Sequence, residues 1–202
     1  MHATPTDSQV PRRHDAERAL HLIDLENLCG DPAAPPPVAL GVLEAYLARA
    51  GWRPGDQAVI AANARLVLAV AYHLPVPASV HAVSGTDAAE VTLLAGAPPE
   101  WVAARFGRLC VGSGDHLFTA RVGAVRRRGV RVRVVSRPDA LSRRLAAAAS
   151  EVCLLPAAPG AAGRPRLPVP ARRRTVGGGT GGGVPTARLT GRSALARAGA
   201  SR

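Results

Sequence analysis

Between residues 19 and 155, short apolar runs alternate with longer stretches whose apolar residues recur at helical spacing. Each run is separated from the next by enough chain for a crossover helix, which parallel pairing requires and a hairpin does not. The expected strands are Ala19 to Leu25, Gln57 to Ala62, Ser79 to Val83, Arg108 to Val111, Val130 to Val135 and Glu151 to Leu155. Between them the spacing predicts a helix over Val38 to Ala50, stopped by Gly51, and one over Ala64 to His73, capped by Asn63. Further helices are expected over Asp87 to Ala95, Pro98 to Phe106, Leu117 to Arg128 and Leu141 to Ser150. The pattern implies an α/β, Rossmann-like three-layer fold with a mostly parallel sheet. In such folds the functional rim lies at the carboxyl ends of the strands, near the point where strand order reverses.

Charge divides the chain differently from hydropathy. All 26 basic residues are arginine. Residues 1–155 carry 17 of them against all 14 acids, for a net +3; from Pro156 onward there are nine arginines and no acid, for +9. The expected organisation is a flexible segment over 1–18, one domain over 19–155, and a disordered Arg/Gly/Pro-rich tail over 156–202 that cannot bury enough apolar surface to order itself. Gly177, Gly179 and Gly182 fit a dinucleotide-binding pattern, but no strand precedes them and no acid follows, so that reading is rejected. No apolar run reaches the roughly 18 residues of a membrane span, and residues 1–18 lack an apolar signal core, so a cytoplasmic protein is expected. Cys29, Cys110 and Cys153 are odd in number and lack zinc-ligand spacing; none is expected in a disulfide.

Three acids fall at ends of expected strands: Asp24, Asp87 and Asp115, the first two accompanied by Asn27 and Glu90. Carboxylates converging on one sheet edge make a hard-oxygen cage suited to Mg²⁺ or Mn²⁺. Such an ion activates water and orients a phosphodiester for in-line attack. The competing reading is helix capping: Asp87-x-x-Glu90 resembles a capping box, and Asp115 also precedes a helix. Asp24 resists it, because no helix is expected between it and Pro37.

In order along the chain, Ile23-Asp24-Leu25-Glu26-Asn27-Leu28, Ser84-Gly85-Thr86-Asp87, Val111-Gly112-Ser113-Gly114-Asp115-His116-Leu117-Phe118 and Arg128-Gly129-Val130-Arg131-Val132 resemble the motifs of NYN domains, a branch of the PIN-like nucleases. The resemblance covers about Ala19 to Leu155. It implies a metal-dependent ribonuclease in which Asp24, Asp87 and Asp115 hold the metal and carry catalysis, while Asn27 orients the site or substrate. One departure is Leu117, which stands where the family has a second Asp. A cage with fewer carboxylates holds metal less tightly, so an inactive RNA-binding or regulatory module is the alternative.

Glu90 and His116 are possible accessory residues; an exposed loop histidine is also commonly incidental. Arg126, Arg127 and Arg128, with Arg131 and Arg133, form a basic patch that either contacts RNA phosphates or simply solvates a helix end, where cations are stabilised. His21, inside the first strand, reads as a satisfied interior side chain, and Asn63 as a cap.

Overall fold

The computed structural model describes residues 18–156; the segment before it and the tail after it, both expected to lack order, lie outside the described residues. Six strands form one all-parallel sheet: β1 (Ala19–Asp24), β2 (Gln57–Asn63), β3 (Ala78–Val83), β4 (Arg108–Gly112), β5 (Arg131–Ser136) and β6 (Glu151–Leu154). Their order is β3-β2-β1-β4-β5-β6. The chain therefore winds outward from β1 to β3, returns to the centre, and winds the other way. The reversal falls between β1 and β4, the place where a crevice opens in folds of this kind.

Among the described residues, seven helices cover the two faces. On one side lie α1 (Leu25–Cys29), α2 (Pro36–Ala50) and α3 (Ala64–Val70); on the other lie α4 (Ala88–Ala95), α5 (Pro99–Arg105), α6 (Thr119–Arg126) and α7 (Arg143–Ala148). Side chains alternate along a strand, so β1 feeds both cores. Ala19 and Ile23 pack with Leu28, Leu43, Tyr46 and Leu66, while Leu20 and Leu22 pack with Leu93, Val102, Phe118 and Val122. Full burial of each Leu or Ile side chain contributes roughly 1.5–3 kcal/mol. Aromatics are 3% of the chain, so this aliphatic packing makes up nearly all of the core. No helix among the described residues is long and apolar enough to cross a membrane.

Most strands and helices match the sequence pattern to within a few residues. One difference bears on function. Asp24 was expected to lack a helix behind it, yet α1 begins at the next residue with Asp24 as its N-cap and Gly30 ending it at φ 70°. The capping explanation therefore applies to Asp24 as well. The helix expected to start at Leu117 instead enters through a 3-10 turn, His116–Phe118, before α6. Asn63 caps α3 as expected, its Oδ1 accepting from the Leu66 N–H at 3.0 Å.

His21 sits within β1 with its ring closed in by Tyr46 and Trp52. Nδ1 meets the Tyr46 hydroxyl at 3.1 Å and Nε2 meets Asp56 Oδ2 at 3.4 Å. It is the satisfied interior histidine that its position implies. The three cysteines are free thiols.

Candidate functional site at the carboxyl rim

The rim between β1 and β4 is built by two short loops that hold each other. Asp24 ends β1 and is 1% exposed. Its Oδ1 accepts the Asn27 N–H at 3.0 Å, closing the first turn of α1, and its Oδ2 accepts the Ser113 hydroxyl at 3.1 Å. Ser113, directly after β4, is itself fully buried and accepts the Asp115 N–H at 3.2 Å. Asn27 reaches back across the gap, its Oδ1 accepting the Gly114 N–H at 2.9 Å. The two loops thus form one hydrogen-bonded unit across the strand-order reversal.

Alternation along β1 decides which way Asp24 points. It shares a parity with Leu20 and Leu22, so its side chain lies on the α4 side of the sheet. There Ala89 and Leu93 of α4 are buried against the strands, and Glu90 brings its carboxyl close enough to hydrogen-bond with that of Asp24. Burial raises the Asp24 carboxyl to about 7, opposed by the Asn27 N–H and supported by the neighbouring Glu90 charge. Among the described residues no salt bridge joins either acid to an arginine.

The other expected site residues fall less neatly. Asp115 is partly exposed, and its Oδ1 accepts the Leu117 N–H at 2.7 Å and lies 3.1 Å from His116 Nδ1. His116 is exposed. Asp87 is exposed and starts α4 with φ 56°, in the left-handed region that side chains rarely adopt, and its side chain makes no capping bond. Among the described residues it forms no ion pair or side-chain hydrogen bond, and no group of three His, Cys, Asp or Glu side chains is gathered closely enough to hold a metal ion. The acids that meet are Asp24 and Glu90, with Asp115 linked to Asp24 through Ser113.

Arg126, Arg127 and Arg128 sit elsewhere. The chain runs along α6 from the end of β4 to the start of β5, so the foot of this helix lies at the amino edge of the sheet, away from the carboxyl rim. Arg126 donates to the Ala148 and Ala149 carbonyls at the end of α7, and Arg128 pairs with Glu100. Two of the three are therefore occupied with their own scaffold.

Sequence reasoning missed the importance of Ser113 and Gly114. A Cβ at Gly114 would clash with the Ala140 carbonyl and come 2.5 Å from Ser136 Oγ, and the Ser142 N–H donates to the Gly114 carbonyl at 2.9 Å. The Ser-Gly-Asp order was legible; that its serine joins two carboxylate loops was not.

No family model and no curated protein matches the chain. Among solved structures, it is similar to a protein of unknown function from Vibrio parahaemolyticus, with a TM-score of 0.51 and 16% identity over 71% of this chain and 96% of that one. At that identity the likeness shows a shared fold.

Proposed function

We propose that the chain is a divalent-cation-dependent nuclease acting on RNA, with its reaction centre at the Asp24–Glu90 pair. The observation that carries this reading is the meeting of two carboxyls, one of them buried, beside the strand-order reversal. Holding two acids together costs free energy when both are ionised, and a divalent cation held by Asp24 and Glu90 would offset that cost. Mg²⁺ is commonly bound through one or two carboxylates plus water and substrate phosphate, so the donor set suits such an ion without a third acid. The ordered resemblance to NYN motifs supports RNA as the substrate.

When bound, the ion lowers the pKa of a coordinated water and neutralises phosphate charge. The chain's own groups do the rest. Ser113 and the Asn27 N–H fix the orientation of Asp24, and the Asn27–Gly114 bond keeps the β4 loop at hand. Asp115 makes its Leu117 and His116 contacts through Oδ1, which leaves Oδ2 as the oxygen that would accept a proton from the attacking water.

The test is incubation of the full chain with end-labelled single-stranded RNA in Mn²⁺, Mg²⁺ or chelator, beside Asp24→Asn and Glu90→Gln. Cleavage that needs metal and falls at least a hundredfold in both variants supports the reading; equal cleavage in all three proteins removes it. The rival reading, a binding module without turnover, draws on the engagement of Asp115 with its own helix start. It predicts salt-sensitive RNA binding and no cleavage with either ion.

A further inference from the structure

At the opposite edge of the sheet, Arg53, Arg108, Arg131 and Arg133 line a cleft of about 410 Å³, with Val132, Ser150 and Glu151 completing its walls. We propose that this cleft binds a phosphoryl group, either of a free nucleotide or diphosphate or of a nucleic-acid 5′ end. It is separate from the carboxyl rim: Ser113 lies five residue steps beyond Arg108 along β4, or roughly 16 Å at strand rise. The proposal does not depend on the nuclease reading.

Strand register makes the argument. Arg108 and Arg131 open β4 and β5 and are directly paired in the ladder. Two like charges side by side on adjacent strands are destabilising unless something neutralises them. Arg108 has a partner in Asp56, at 3.4 Å, and also donates to the Gly51 carbonyl at 3.3 Å. Arg133 is held by Glu151 at 2.8 Å and by the Ala50 carbonyl at 2.9 Å. These bonds finish the carboxyl end of α2 and explain part of the cluster as scaffold.

They leave a surplus. Among the described residues, the side chains of Arg53 and Arg131 have no carboxylate or hydrogen-bond partner, and buried Nε of Arg108 has none either. Four guanidinium groups therefore face two carboxylates, Asp56 and Glu151, and the difference of two positive charges matches a phosphate dianion. Planar guanidinium forks bind phosphate oxygens bidentately, which suits a cleft of this size. The Ser150 hydroxyl accepts the Val132 N–H at 3.1 Å and retains its own proton to donate.

The experiment uses the full chain, labelled with ¹⁵N and titrated with inorganic pyrophosphate, with AMP, and with a short oligonucleotide carrying either a 5′-phosphate or a 5′-hydroxyl. The expected result is saturable shifts at the amides of Arg53, Arg131, Val132 and Ser150, with Asp24, Asn27 and Ser113 unmoved. Response to pyrophosphate and AMP assigns the site to free phosphates; response to the 5′-phosphorylated oligonucleotide alone assigns it to a nucleic-acid end. The double variant Arg53→Gln/Arg131→Gln removes two exposed side chains without touching the Asp56 or Glu151 pairs and should weaken binding tenfold or more. Absence of shifts at these amides with all probes, or unchanged affinity in the folded double variant, overturns the proposal.

Discussion

The Ser113 hydroxyl donates to Asp24 Oδ2 at 3.1 Å while its oxygen accepts the Asp115 N–H at 3.2 Å, so one small side chain ties the carboxylate ending β1 to the acid that follows β4. Removing that hydroxyl leaves Asp24 buried with one fewer donor. Ser113→Ala should raise the Asp24 pKa above its present value of about 7 and reduce metal-dependent cleavage at neutral pH, with partial recovery at higher pH. A pH–rate profile compared with wild type checks the shift. A profile that drops uniformly without moving would mean that Ser113 acts only in folding.

Opposite pH effects are built into β1. Asp24 keeps its proton in the folded protein to about 7, against 3.8 ordinarily, so its contribution to stability falls as pH rises from about 4 to 7. His21 is held down to about 4 from 6.5 by burial, so its contribution rises as pH climbs from about 4 to 6.5. The two nearly offset each other in wild type. Asp24→Asn should remove the falling component, leaving a protein that gains stability from pH 4 to 6.5 and exceeds wild type above pH 7. Thermal unfolding midpoints across pH 4–8 test this; parallel curves for the two proteins would contradict it.

Glu90 and Asp87 lie three residues apart, and Glu90 is the one that acts on the Asp24 carboxyl, so it is the acid assigned to the proposed cation. Asp87→Gly should fold with stability within about 1 kcal/mol of wild type, because glycine adopts the left-handed conformation at φ 56° without strain. It should also keep its cleavage rate within a few fold. Glu90→Gln should abolish Mn²⁺ binding measured by calorimetry. Loss of cleavage in well-folded Asp87→Gly would move the site to Asp87.

Gly114 has no room for a side chain. Gly114→Ala places a methyl against the Ala140 carbonyl and Ser136 Oγ, and overpacking of this kind costs about 1–3 kcal/mol. Chemical denaturation should show that loss, and the Asn27–Gly114 bond should weaken with it, lowering any activity at the rim. An alanine variant as stable as wild type would mean that the Ala140 loop yields freely.

Much of the fold was legible in residues 19–155. Buried strands of Ala, Val, Leu and Ile alternating with amphipathic helices admit few solutions other than a doubly covered parallel sheet. The five-residue α1 was not legible, because one turn has no apolar periodicity. Its signals were the cap at Asp24 and the stop at Gly30, which only make sense together. The choice of Glu90 over Asp87 was also hidden, since it depends on how Ala89 and Leu93 seat α4 on the sheet.

The linear chain determined the elements, the near-neutral body and basic tail, and the order in which the Asp24, Asn27 and Ser113-Gly114-Asp115 motifs arrive, because these follow from local periodicity and composition. Tertiary structure alone decided the partnerships. Asp24 meets Glu90 and Ser113 because β1 lies beside β4 and under α4, and Arg108 meets Arg131 because the β4–β5 register pairs them. Those neighbours are far apart in sequence, and their distances are set by sheet order and helix packing, which no local pattern encodes.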